Sequence, residues 1–311
     1  MARSEVDSFH GMVGRSAAMQ ALFRQIERVA ALDTPVLIRG ELGTEKDLVA
    51  AALHALSARR DQPYEVTDCR AGYGLLAPMV LADLLGCEPG VAVLEGYDGP
   101  GAAMRADGGI LFLHEAVELS LDAQQNVLTL IDRGEAQAIG SATPRRANVR
   151  VLASTCDQVE RAVARGFFHE TLYERLCVNA LRVPPVRDRR QDIPLLVDRA
   201  RRQHNARFGL SISGVKPEAL AILEAHDWPG NLEEMEAVLC EPMVMQGSGW
   251  LGSTAFPRMR RKTWSPGICR CCCVRHEGRE SWGSGRGHWD RDSQPQSRRG
   301  PPARGCRRPR R

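Results

Sequence analysis

The chain is predicted to be an α/β protein, with helices covering both faces of a parallel sheet and a small all-helical subdomain after it. Three observations carry this prediction. Short apolar or β-branched runs alternate with longer helical patterns over the first 245 or so of 311 residues, which is how βαβ units read. A strand, a glycine-bearing loop, a lysine and a helix follow one another at 36–56. From Arg189 the pattern becomes wholly helical.

The first helix is expected over Ala17–Ala30, where Met19, Leu22, Phe23, Ile26, Val29 and Ala30 recur at the spacing of one helix face. Strands are expected at Pro35–Arg39, Ala92–Leu94, Gly109–Leu113 and Val149–Ser154, with helices at Leu48–Leu56 and Asp122–Asp132. Asp192–Phe208, Lys216–Ala225 and Asn231–Val244 complete the helical subdomain, separated by polar or Gly/Pro turns such as Trp228-Pro229-Gly230. The expected division is a leader over 1–10, an α/β subdomain over 11–185, a helical lid over 186–246 and a tail over 247–311.

Charge supports the last boundary. From Gly252 onward there are 16 Lys and Arg against 4 Asp and Glu, leaving 26 basic against 34 acidic residues before it. The tail is rich in Gly, Pro, Ser and Arg and poor in aliphatics, so it cannot bury enough apolar surface to offset its ordering entropy and is expected to be disordered. Two readings of it stand: a shifted reading frame or degenerate end, or an arginine-rich arm binding nucleic acid without sequence preference. Cys269-Arg270-Cys271-Cys272-Cys273 is too compressed for the paired spacing of a structural zinc site, so no metal is assigned. The five cysteines before the tail are scattered singly and read as buried free thiols. No apolar run approaches the length of a membrane span and the start lacks signal-peptide order, so the chain is expected in the cytoplasm, with no membrane partner.

The candidate binding site is Gly40-Glu41-Leu42-Gly43-Thr44-Glu45-Lys46-Asp47, leading into Leu48–Leu56. Backbone N–H groups at a helix N-terminus hold phosphates there, and a lysine reaches the terminal ones. The pattern G-x-x-x-x-G-K-[ST] has glycine at the position of Glu45 and a hydroxyl at that of Asp47. Glutamate adds bulk and a negative charge beside a polyanion. The plainer alternative is an ordinary strand-to-helix turn, with Glu45 and Asp47 favourable at the helix's positive end. The chain has only three lysines, Lys46, Lys216 and Lys262, and one falls on the phosphate-loop position.

Taken in order from Gly11 to Val244, the segments resemble the AAA+ domain of bacterial sigma-54-dependent transcription activators, the enhancer-binding proteins. Gly40–Asp47 is similar to the family's GESGTGKE, from which Leu42 and Glu45 depart while acidic Asp47 conforms. Ala106-Asp107-Gly108-Gly109-Ile110-Leu111-Phe112-Leu113-His114-Glu115 resembles the Walker B strand ADGGTLFLDE, and Val149–Cys156 the sensor I strand. Gly166–Leu176 resembles the arginine-finger segment, Pro184–Arg189 with Asp192–Leu196 the start of the lid, and Trp228-Pro229-Gly230-Asn231-Leu232 its last helix.

The resemblance implies an AAA+ P-loop NTPase fold and ATP, with or without magnesium, held by Gly40, Glu41, Gly43, Thr44, Lys46 and Asp47. It implies that Glu115 polarises the attacking water and that Arg175 reaches in from a neighbouring subunit. Five phosphate-facing positions depart from the family: Glu45, His114 for the metal aspartate, Cys156 for the sensor I asparagine, His169 for the first trans-acting arginine and Glu233 for the sensor II arginine. Phosphoryl transfer needs charge neutralised and a nucleophile positioned, so these departures imply weak or absent hydrolysis. Gly90-Val91-Ala92-Val93-Leu94-Glu95 stands where the family has GAFTGA, which puts the sigma-54 RNA polymerase contact in doubt; the plain reading is a strand or buried loop. The expected partners are AAA+ neighbours in a homo- or hetero-oligomer, with DNA only through the basic tail. No helix-turn-helix or sensory domain is visible, and the alternative roles are a non-enzymatic interaction module assembling with intact family members and a remnant with no folded role.

Overall fold

A computed structural model describes residues 8–72, 74–88, 91, 99–156 and 158–257. The expected strand Ala92–Leu94, most of the segment 90–95, the leader before Ser8 and the chain after Pro257 lie outside these residues. Its centre is a five-stranded sheet: β1 Val36–Arg39, β2 Tyr64–Asp68, β3 Ile110–His114, β4 Arg150–Thr155 and β5 Ala180–Arg182. All the pairings are parallel and the spatial order is β5-β1-β4-β3-β2.

The three central strands are apolar on both faces because both are covered, so their sequences are continuous apolar runs. Val36, Ile38, Ile110, Phe112 and Leu152 face helix α1 Ala17–Ala30 and helix α2 Lys46–Leu56. Leu37, Leu111, Leu113, Val151 and Ala153 face the other way, toward α3 Ala77–Leu85, α4 Leu121–Arg133 and α5 Glu170–Leu176. α1 begins where the Ser16 hydroxyl accepts from the Met19 N–H, and α4 where Ser120 accepts from Ala123. Two strands, β2 and β5, were not expected, and both are edges of the sheet.

The register aligns the C-terminal strand ends. Asp68 pairs with His114, and Thr155 with Arg39. The phosphate loop, the end of β3 and the end of β4 therefore open on one rim, where open parallel sheets carry their sites.

The lid is built from α6 Ile193–Phe208, α7 Pro217–Ala225 and α8 Asn231–Gln246 around Trp228, whose indole N–H donates to Leu223 O at 2.9 Å. It is not purely helical. β6 Ser211–Val215 pairs in parallel with β7 Ser248–Leu251, and Leu251 and Phe256 are buried in the lid core. This corrects the boundary expected at 246/247: the folded chain continues through at least Phe256, because two apolar side chains and one strand suffice to dock a segment that is otherwise polar. Among the described residues no helix is long and apolar enough to cross a membrane.

Candidate functional site

The loop after β1 keeps the backbone of a phosphate cradle. Gly43 has φ +74°, and a Cβ there would lie 2.4 Å from Gly230 O, so only glycine fits beneath the lid. Glu45 holds φ 62° and ψ 44°, a left-handed conformation, although it is not glycine. The strained position is thus the one where the pattern calls for glycine; the backbone has kept its shape and the side chain bears the strain, about 1 kcal/mol. α2 starts immediately afterwards with no side chain capping it, leaving its first N–H groups facing the loop.

Lys46 is 4 % exposed. Its Nζ donates to Gly40 O at 3.1 Å and Glu41 O at 3.2 Å, and lies 2.7 Å from Glu115 Oε1, itself nearly buried. Glu115 sits at φ 57° just past β3, its N–H donating to Ser154 Oγ at 3.0 Å. Thr44 is buried, with its hydroxyl donating to Glu41 O at 2.7 Å. The structure brings Gly40, Glu41, Gly43, Thr44, Lys46, Asp47 and Glu115 together at the ends of β1 and β3.

His114 lies beside them. Its Nε2 is 3.1 Å from Asp47 Oδ1 and its Nδ1 3.6 Å from Asp68 Oδ1. Arg70 grips Asp68 bidentately at 2.7 and 2.9 Å and holds its carboxyl down at about 2. Asp68 in turn raises the Arg70 guanidinium, helped by the charges of Asp47 and Glu233. Glu233, on the first turn of α8, borders the loop: its Cβ is 3.3 Å from where a Cβ on Gly43 would be. A magnesium ion does not fit this set. The ring at the metal position is a nitrogen donor facing two carboxylates, whereas that ion takes oxygen ligands. Among the described residues no cluster of three or more His, Cys, Asp or Glu is arranged to hold a metal.

The lid is fastened to the loop. Arg187 forms a bidentate pair with Glu41 and lowers its pKa. Asn231 Nδ2 donates to Leu42 O at 2.9 Å and Glu41 Oε2 at 3.2 Å, while the Leu232 N–H donates to Gly43 O at 2.9 Å. Arg199 on α6 forms a bidentate pair with Glu45 and also donates to Gly11 O at 3.1 Å. The negative charge expected beside the loop at Glu45 is thus met by a lid arginine that engages both its oxygens.

Of the remaining candidates, Cys156 follows Thr155, whose carbonyl accepts from the Gly40 N–H at 3.2 Å. Cys156 is half-buried at the end of β4, and Arg175, 55 % exposed at its side chain, pairs with Asp132 of its own chain at 2.9 Å. The His169 N–H donates to Gln124 Oε1 at 2.8 Å. Of the single cysteines, Cys69 and Cys87 are buried, but Cys156, Cys177 and Cys240 are partly exposed, which corrects the expectation that all are buried. Sequence reasoning missed Asp68, Arg70 and Arg199. Arg199 meets a carboxylate 154 residues away in sequence, so no local pattern marks it, whereas Asp68 and Arg70 are only two residues apart and become part of the site through the strand register that sets Asp68 beside His114.

Comparison with known proteins shows the family and the fold. The family described as Sigma-54 interaction domain matches residues 12–182, and the AAA+ ATPase lid domain matches 187–265. The DNA-binding transcriptional regulator NtrC of Rhizobium meliloti (strain 1021) is 40% identical over 234 residues, 75% of this chain and 48% of that protein. The transcriptional regulatory protein ZraR of Salmonella typhimurium is 38% identical over 247 residues, 79% of this chain and 55% of that one. The chain thus spans about half the length of the curated relatives it matches. Among solved structures, NtrX from Brucella abortus in complex with ADP aligns at TM-score 0.73 and 30% identity, covering 82% of this chain and 57% of that one. The same protein in complex with ATP gives 0.72 and 29%, covering 83% and 58%.

Proposed function

The chain belongs to the sigma-54 interaction family of AAA+ proteins, and from that membership we propose that it is a transcription regulator binding adenine nucleotide at an altered phosphate loop and hydrolysing it poorly or not at all. One observation carries the reading: the loop retains its cradle and its lysine, with Lys46 held over it by two carbonyls and Glu115, while the metal position is an imidazole between two carboxylates. The solved relatives in complex with ADP and ATP support adenine nucleotide as the ligand.

In this proposal the N–H groups at the start of α2 and the Lys46 ammonium hold the phosphates, with Gly40, Glu41, Gly43 and Thr44 shaping the loop. The His114 ring stands 3.1 Å from the Asp47 carboxylate, at the position where the family has an aspartate. Glu115 can orient water only after leaving Lys46. Cys156 offers no amide for the same task, and His169 replaces a transition-state arginine whose loss alone costs about a thousandfold or more. Arg175 is left as the trans-acting charge, and must exchange Asp132 for a neighbour's phosphate. AAA+ neighbours are the natural oligomeric partners. Contact with sigma-54 RNA polymerase is the family's expected output and is weakened here by the residues at 92–94.

Nucleotide affinity is expected to be the same in magnesium and in EDTA, measured by calorimetry with ADP on the full chain. Lys46→Ala should abolish binding while the variant's thermal unfolding shows it folded. His114→Asp should create a magnesium dependence. A wild-type chain that binds only with magnesium would refute the proposal.

A further inference from the structure

Resting on the nucleotide reading above, we propose that Glu45 and Arg199 form a latch that holds the lid over the phosphate loop and opposes nucleotide binding. Three segments meet in the pair: the amino-terminal turn at Gly11, the loop at Glu45 and the middle of α6 at Arg199. Arg199 is only 14 % exposed at its side chain and Glu45 23 %, so the pair is largely withdrawn from solvent. Its geometry is bidentate, which fixes the relative position of loop and helix as a single contact would not. Arg189, 2 % exposed and pressed against Met19 Sδ at 3.2 Å, adds a second buried cation whose charge is felt by Glu45, with Asp192 as the neighbouring anion.

The latch completes a closure. Arg187 and Asn231 bridge the lid to Glu41 and Leu42 on one side of the loop, and Arg199 bridges it to Glu45 on the other. A nucleotide whose phosphates seat at the start of α2 must pass between loop and lid, so the pair has to part first. Its apparent affinity is then the intrinsic affinity reduced by the fraction of open molecules.

This makes Arg199 act against expectation. An arginine beside a phosphate site would ordinarily strengthen binding of a polyanion, and its removal would weaken it. As a latch residue, its removal strengthens binding. Calorimetric titration of the full chain with ADP should show Arg199→Ala and Glu45→Gln each binding about five- to tenfold tighter than wild type. The exchanged pair, Glu45→Arg with Arg199→Glu, should return toward wild-type affinity. A double-variant cycle of melting temperatures over Glu45→Gln and Arg199→Ala reads the contact without ligand and should be non-additive. Equal or weaker ADP binding by Arg199→Ala overturns the latch while leaving the nucleotide reading intact. Absence of ADP binding in every variant, with the melting cycle still coupled, overturns the nucleotide reading and the latch's role with it.

Discussion

Glu45 concentrates the physical conflict at this site. Its backbone is held in a conformation that suits glycine, and its carboxylate is held by Arg199. Glu45→Gly relieves strain of about 1 kcal/mol but removes the ion pair, whereas Glu45→Ala loses the pair and keeps the strain. The glycine variant should therefore be more stable than the alanine variant by about 1 kcal/mol in urea unfolding; equal stabilities would show that the left-handed conformation relaxes on substitution. A second residue-scale expectation concerns acid. The Asp68 carboxyl is lowered from 3.8 to about 2, chiefly by its hydrogen bonds from Arg70. A depressed carboxyl contributes stability above its unfolded pKa and loses it as pH falls through the folded one, so the loss spans roughly pH 4 to 2. Because the pair is half-exposed, solvent screening limits the contribution to about 1 kcal/mol or less. Asp68→Asn should flatten stability against pH in that window, and an unchanged slope would contradict the assignment. The motif at 40–47 was legible because the loop's residues are contiguous. Arg199 was not, since an arginine on a helix carries no local sign of a carboxylate 154 residues away.

Elements were legible in proportion to their burial. The helix expected at Ala17–Ala30 forms at those bounds, because its apolar residues recur with the helical period and Ser16 caps it. The central strands were legible because both faces are covered, which makes their sequences apolar throughout. The edge strands β2 and β5 were not: Tyr64-Glu65-Val66-Thr67-Asp68 fully buries only Thr67 and Ala180-Leu181-Arg182 only Leu181, so neither composition nor alternation marks them. The same reason hid β7. Ser248-Gly249-Trp250-Leu251 buries only Leu251, yet it pairs with β6 and brings Phe256 into the lid core. Leu251→Ala should cost about 2–4 kcal/mol, and a chain ending at 246 should lose at least as much. Thermal unfolding checks both, and a truncated chain as stable as the full one would show that 247–257 adds nothing to the lid.

Across the whole molecule, the framework is that of an AAA+ fold, with a five-stranded parallel sheet and a lid docked on the loop after β1, and relatives of this fold are solved in complex with ADP and ATP. The charges at its centre meet one another, Lys46 with Glu115 and Glu45 with Arg199, and the His114 ring lies between Asp47 and Asp68. The fold was legible because its motifs lie in order along the chain. The mutual neutralisation was not, because it depends on which strand ends the register sets side by side. The most direct measurement is ATP turnover by the full chain in magnesium, compared with Lys46→Ala under the same conditions. Turnover indistinguishable between the two is what an altered site predicts; magnesium-dependent turnover that Lys46→Ala abolishes would show that His114, Cys156 and His169 still support hydrolysis, and would contradict the account.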